Sequence, residues 1–495
     1  MINTGGTPQH GGTLTIDQAG SPIEVDSLDF LYNPDAPTEQ VITQIYDQLV
    51  ENLPGSINPQ PGLARRWKVS RNGLTYTFYL RSARFSNGMP ATSADVKYVL
   101  DQARGPKSFF KSSLYGVISK VATPNKSTVI VTLSKPTPGF IYFLANPAAS
   151  IVPSALIKAK GFTWYKTHPI GTGPFVLTRW VKDQEVDLTR NKYYWRTGLP
   201  YLNGVRMRVI ANDNTRVLDV QSGTVDASDI VPFSQIATIN KGGSAKVLVA
   251  PGGDMFVIWM TCSQKPLDEQ VVRQALAYAT PVASIQKVVF AGVAPRMNGL
   301  IPKLKYWSPS VPPYPYDVAK AKALLAKSSV PNGFSATINI IGSDQADNQV
   351  AQIVQQAWSQ IGVKLTIQRV DSAGLGTKWT KGASDFYLFQ PGVFSTDVVV
   401  DDEFASLLFD SPQLNNFYTF LKDPAASALV AKATSELSEA ARKRDFARVQ
   451  AITMQDPPVI PLTYTPNRVA VRNNVHNFNY MMAGSYWRLD TVWKS

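Results

Sequence analysis

Between Asp317 and Val370 the sequence spells out a helix, a strand, a second helix and a second strand with short joints, an order that few folds can accommodate. Asp317 stands as an N-cap before VAKAKALLAK. Ala336 to Ile340 alternates with the period of a strand. Asp347 to Gln360 places Val350, Ile353, Val354, Ala357 and Trp358 on one helical face, Gly362 closes that helix, and Val363 to Val370 alternates again. A strand, helix and strand joined this tightly require parallel strands and a right-handed crossover, so the segment predicts an α/β layer.

A second dense stretch, Pro61 to Tyr98, reads strand, turn, strand, turn, helix. Asn72-Gly73 tolerates the positive φ of a tight turn, and Leu74, Tyr76, Phe78 and Leu80 alternate with polar positions after it. Asn87-Gly88 makes the next turn. Thr92 or Ser93 then stands as N-cap, with Asp95 in the first turn and Val96, Val99, Leu100 and Ala103 as the apolar stripe. The ordered residues Pro61, Leu63, Ala64, Trp67, Ser70, Gly73, Phe78, Leu80, Arg81, Phe85, Gly88, Pro90, Asp95 and Val96 resemble the signature of the family 5 extracellular solute-binding proteins, receptors of peptide, nickel and related ABC importers.

Weaker motifs carry the resemblance along most of the chain. Gly171-Thr172-Gly173-Pro174-Phe175 leads into a predicted hairpin, Val176 to Val181 and Glu185 to Arg190, and ends at Asn191, Tyr194 and Trp195. Asp213 to Ser222 reads as a helix closed by Gly223. Val272-Arg273-Gln274-Ala275-Leu276 and the Pro458 to Leu462 strand follow the family pattern. Helices are also predicted over Glu39 to Val50, from an Asp268 cap, and over Leu429 to Ala451. Leu53 to Pro61 reads as turns.

A chain of 495 residues needs two or three domains. Its net charge is +13, from 49 basic and 36 acidic residues. The basic residues are scattered, with Arg442-Lys443-Arg444 read as a solvated helix face, and no basic stripe interleaves with aromatics, so nucleic acid is not expected as a partner. Loose attraction to an anionic envelope suits the charge better. No run of about 18 apolar residues offers a membrane span. The first dozen residues are polar and Gly-rich, so an export leader, if there was one, is expected to have been removed. Cys262, the single cysteine, reads as a buried thiol; it leaves the compartment open.

Catalytic signatures are missing from the sequence. His10, His168 and His476 are far apart, no G-x-S-x-G elbow occurs, and GTGPFV is not a phosphate loop. No metal site and no cofactor are expected, and the chain is not read as an enzyme; a secreted hydrolase of peptides or glycans is the competing class.

The resemblance implies an α/β, two-lobed type II periplasmic-binding-protein fold with an extra subdomain on the first lobe. It places lobe I at residues 12–257 and 466–495, with the subdomain at about 53–165, and lobe II at 258–465. It implies a monomeric periplasmic or cell-surface receptor that captures a small solute by hinge closure and delivers it to a membrane permease. A short peptide or peptide-like compound leads; a sugar or oligosaccharide, an opine-like compound and a metal chelate are alternatives. Candidate ligand contacts are Ser21, Trp259, Arg296, Gln390, Phe394, Asp397 and Asp401. The peptide-binding members have a Gly-Trp ahead of an Asp that pairs with the ligand's amino group. Here Gly392-Val393-Phe394 stands near that position without the tryptophan, and Asp397, Asp401 and Asp402 are the carboxylate candidates.

Overall fold

The computed structural model describes residues 6–22, 25, 27–31, 35–111, 114–250, 255–301, 303–388, 401–412, 415–481 and 486–495. They form two compact units. The first holds Met1–Gly252 and Pro466–Ser495, the second Gly253–Pro391 and Asp401–Thr465.

The first unit is built on a seven-stranded sheet in the order Ala245–Ala250, Asn467–Arg472, Ala227–Asp229, Thr13–Gln18, Gly204–Val209, Glu185–Arg190, Phe175–Val181. Thr13–Gln18 pairs in parallel with both Gly204–Val209 and Ala227–Asp229, which brings three carboxyl ends together. The remaining pairs are antiparallel. Helix Asp213–Ser222 ends at Gly223, whose φ of +87° is the left-handed conformation that favours glycine. Its Val217 and Val220 join Val225, Val231, Ile239, Ala245 and Ala470 in one buried cluster, each fully buried valine being worth about 1.5–3 kcal/mol.

A separate four-stranded antiparallel sheet follows the order Ala64–Val69, Thr75–Leu80, Thr128–Leu133, Ile118–Asn125. Tyr76, Phe78 and Leu80, with Val129, Val131 and Leu133, turn inward as the alternation predicts. Helix Ser93–Ala103 packs on the Ile118–Asn125 and Thr128–Leu133 strands. It is capped by Thr92, whose backbone N–H and hydroxyl both donate to Asp95 Oδ2, at 2.8 and 2.9 Å.

The predicted Glu39–Val50 helix is displaced. The helix is Ala36–Ile45, started by Asp35, which accepts from the Thr38 N–H at 2.9 Å, and by Pro37 in its first turn. Val50, expected to end that helix, instead opens a strand, and Val50–Leu53 pairs as a two-stranded ribbon with Ser56–Pro61, which lies in the stretch Leu53 to Pro61 read from sequence as turns. A ribbon has only edge strands, so Pro59 and Pro61 remove no interior hydrogen bond.

The second unit has a five-stranded sheet, Lys364–Val370, Ser335–Ile341, Phe386–Leu388, Met255–Met260, Val459–Tyr464. Ser335–Ile341 pairs in parallel with both of its neighbours, as the βαβ pattern requires, and helix Gln345–Ser359 joins it to Lys364–Val370. Met255–Met260 runs antiparallel to both of its neighbours and is buried throughout.

The expected Leu429–Ala451 helix is two helices, Pro424–Ser435 and Glu439–Gln455, the second capped by Ser438. Arg442, expected on a solvated face, is 3% exposed, with its guanidinium 4.8 Å from the Tyr306 ring centroid. Glu269, one residue after the expected Asp268, is the N-cap of Gln270–Tyr278. Arg273 is buried in that helix and donates to the Leu267 carbonyl at 2.6 Å and to Asp456. Cys262 is buried, and burial pushes its thiol up to about 12, which keeps it an unreactive thiol at neutral pH.

Candidate ligand-binding residues

Sheets with parallel strands present ligand sites beyond their carboxyl ends. In the first unit the ends of Thr13–Gln18 and Ala227–Asp229 carry a chain of buried polar groups. Gln18 Nε2 donates to Gln40 Oε1 at 2.6 Å, and Gln40 Nε2 donates to Asp229 Oδ2 at 2.8 Å. The Tyr480 hydroxyl donates to Asp229 Oδ1 at 2.6 Å. Burial pushes the Asp229 carboxyl up, and the hydrogen bonds from Tyr480 and Gln40 hold it back. This network stiffens the strand ends rather than presenting free donors.

Ser21 follows three residues after the opening strand. Its half-buried hydroxyl donates to the Pro22 carbonyl at 3.3 Å and accepts from the Asp183 N–H at 3.0 Å. It therefore ties the loop to the tip of the Phe175–Val181 hairpin.

Arg296 lies in the second unit, on a segment fixed against strand Val459–Tyr464. The backbone at Arg296 bridges Thr463, three residues before Pro466 returns the chain to the first unit. Neighbouring hydrogen bonds fix the segment: the Tyr464 N–H donates to the Pro295 carbonyl at 2.8 Å, and the Met297 N–H to the Leu462 carbonyl at 3.1 Å. The Arg296 side chain is half-buried and donates to the Tyr314 carbonyl. Among the described residues no carboxylate pairs with it, and burial lowers its pKa without an opposing charge. A guanidinium has five N–H donors in a flat fork, so several remain for an anionic guest.

Trp259 sits in the core of the second unit. It is 1% exposed, with its ring 5.3 Å from Trp379 and 5.9 Å from Phe417. Gln390, Phe394 and Asp397 lie outside the described residues. Asp401 opens helix Asp401–Phe409, and its side chain is likewise outside them. Sequence reasoning passed over Asn339, which is fully buried on the central parallel strand beside Tyr387. Neither end of its amide has a partner among the described residues. An Asn between Ile338 and Ile340, at the apolar end of SATINII, was the available signal.

Two units, each built on a mixed sheet with parallel strands at its centre, are the architecture of a solute-binding protein. The chain belongs to the bacterial extracellular solute-binding proteins, family 5, whose middle-region model matches residues 58–416. It is 31% identical over 441 residues to the glutathione-binding protein GsiB of Escherichia coli O6:K15:H31, covering 87% of this chain and 85% of that one. The structure of the periplasmic binding protein AgaA from Agrobacterium tumefaciens R10, in complex with agropinic acid, superposes with a TM-score of 0.85 at 28% identity, over 98% of this chain and 99% of AgaA. Helicobacter pylori DppA, in complex with the peptide STSA, superposes at 0.88 with 24% identity, over 98% of each chain, and supports the fold. The fold is that of the type II periplasmic binding proteins. Members of the family are periplasmic or extracellular receptors that work with ABC permeases, and this chain is such a receptor rather than an enzyme. Among the described residues no helix is long and apolar enough to cross a membrane.

Proposed function

We propose that this receptor captures a short peptide or peptide-like compound bearing a free carboxylate, and that Arg296 receives that carboxylate. The observation that carries the reading is the half-buried Arg296 guanidinium without an acid partner among the described residues. The likeness to a protein named for binding glutathione, a carboxylate-bearing tripeptide, supports the same class. An opine-like sugar acid is the second reading, favoured by the likeness to AgaA with agropinic acid. The receptor is proposed to act as a monomer outside the cytoplasmic membrane and to become more compact on capture.

Native mass spectrometry of the purified protein identifies any carried solute, and a melting-temperature screen ranks glutathione, tripeptides, their C-terminal amides and sugar acids. A ligand that binds only the native state raises the midpoint. Arg296→Gln is expected to weaken a free-acid ligand by roughly tenfold to a hundredfold, the equivalent of about 1.5–3 kcal/mol for a charged hydrogen bond, and to leave an amidated analogue almost unchanged. Equal losses for acid and amide would remove Arg296 from the site.

A further inference from the structure

The four-stranded sheet Ala64–Val69, Thr75–Leu80, Thr128–Leu133, Ile118–Asn125 has one covered face and one open face. Helix Ser93–Ala103 lies against the face that carries the buried Phe78, Val129 and Val131. Residues paired across a ladder point the same way, so the register reads off the other face row by row. Arg66 stands beside Tyr79, Lys68 beside Thr77, and Lys120 beside Thr132. The two inner strands present half-exposed threonines, Tyr79 and Ile130, while Arg66, Lys68 and Lys120 stand exposed on the two outer strands.

The ends of this face are basic as well. Exposed Arg71 lies in the turn at one end and exposed Lys126 in the turn at the other. Residues 64–82 and 117–135 hold no Asp or Glu. Among the described residues none of these cations has a carboxylate partner. Asp101 is brought to the Ile118–Asn125 edge by Arg104, which donates to the Ser119 carbonyl at 3.0 Å, but that acid is taken by Lys97 at 2.7 Å and Arg104 at 2.8 Å. The strand spacing sets the two cationic edges about 14 Å apart. A compact anion cannot meet both edges at once, whereas an extended negative surface can. Single-stranded nucleic acid is a poorer fit, because the Arg66 guanidinium already covers the Tyr79 ring, 4.1 Å from its centroid, and leaves no stacking platform.

We propose that this open face is where the receptor lies against an anionic phospholipid bilayer. The rim cations meet lipid phosphates, and the centre, with its threonine hydroxyls, Tyr79 and Ile130, rests at headgroup level, where an amphipathic ring is at home. Adsorption there keeps the receptor at the membrane that holds its permease. The proposal rests on the reading that the receptor acts outside the cytoplasmic membrane.

The probe is a vesicle of equal parts phosphatidylglycerol and phosphatidylcholine at about 0.01 M salt, where charges are screened over about 30 Å. Arg66→Glu, Lys68→Glu and Lys120→Glu combined should weaken co-sedimentation on the order of a hundredfold, about fivefold for each facing cation. Lys241→Glu, Lys246→Glu and Lys287→Glu combined, at exposed lysines on other elements, give the same net charge and should weaken it less than about fivefold. Circular dichroism checks the fold of both variants. Solute-induced melting shifts, expected to be alike in the parent and both variants, test the receptor reading separately. Cys262 is buried, so Thr77→Cys offers one accessible thiol for an environment-sensitive dye. Its emission should shift to the blue on the phosphatidylglycerol vesicles and stay fixed on phosphatidylcholine alone. Equal losses from the two triple variants would mean attraction by net charge alone and overturn the proposal. So do a parent that does not sediment with the anionic vesicles and a Thr77→Cys dye that stays in water on sedimented protein.

Discussion

Asp17 is fully buried on the opening strand, where the Arg208 guanidinium lies between two carboxyls. Arg208 Nε lies 3.3 Å from Asp17, and Arg208 Nη2 lies 2.7 Å from Asp219. Burial disfavours the Asp17 anion by more than the nearby guanidinium groups favour it, so Asp17 holds its proton to higher pH than a free carboxyl does. Its pKa rises from 3.8 to about 7, mainly through burial, with Asp219 adding to the rise and Arg208 opposing it. The folded state therefore holds this proton more tightly than the unfolded chain does. The stability it supports is complete below about pH 4, falls as pH climbs towards 7, and is flat above that. Asp17→Asn removes the ionisation while keeping the shape. It should leave denaturant midpoints at pH 4 almost unchanged and raise stability at pH 8 by at most about 4 kcal/mol, from about 1.36 kcal/mol per unit. An Asn variant no more stable than the parent at pH 8 would rank the Arg208 contact above the burial penalty.

At the scale of elements, Asp95 joins two pieces that a sequence reading treats separately. It closes the Thr92 cap of helix Ser93–Ala103 with Oδ2 and receives the Ser154 N–H and hydroxyl on Oδ1, at 2.9 and 2.8 Å. Losing a cap alone costs about 0.5–2 kcal/mol. Asp95→Ala also strands the buried donors of Ser154, so its cost should reach about 2–4 kcal/mol, measured by urea unfolding, whereas Thr92→Ala should cost about 1 kcal/mol. Equal costs for the two would show that the Ser154 contact contributes nothing. The cap itself was legible, because T-x-x-D before an apolar stripe is a local signal. So were the Gly223 stop and the βαβ order. The start of helix Ala36–Ile45 was also written locally, in Asp35 and Pro37, but the periodic run from Glu39 outweighed it. The break at Glu436–Ser438 was hidden because both helices keep compatible apolar spacing, and Ser438 reads as any polar surface residue. Prolines concealed the Ser56–Pro61 strand, since their penalty applies to sheet interiors and this ribbon has none.

At the scale of the whole molecule, fold and family were readable from many short motifs in order, while ligand contacts were not. Strand Met255–Met260 is apolar at every position, so no periodicity tells which side chain could face a ligand, and Trp259 turns out to fill the core. Gln40 and Asp229 meet across 189 residues of sequence, beyond the reach of any local pattern. Charge is different: it is a sum, and the sequence fixes its sign without needing the fold. The excess of 49 basic over 36 acidic residues, +13, acts on any anionic surface through a field that salt screens over about 30 Å at 0.01 M and about 10 Å at 0.1 M. An exposed cation near an anionic bilayer gains about 1 kcal/mol, so a few facing lysines suffice for loose adsorption. The protein should therefore sediment with phosphatidylglycerol vesicles at about 0.01 M salt and release above about 0.15 M, where the screening length falls below 10 Å. It should ignore phosphatidylcholine vesicles at both. Retention that persists in high salt would instead require apolar insertion, for which the exposed Leu218, Val288 and Leu437, more than half accessible, are the side chains to replace first.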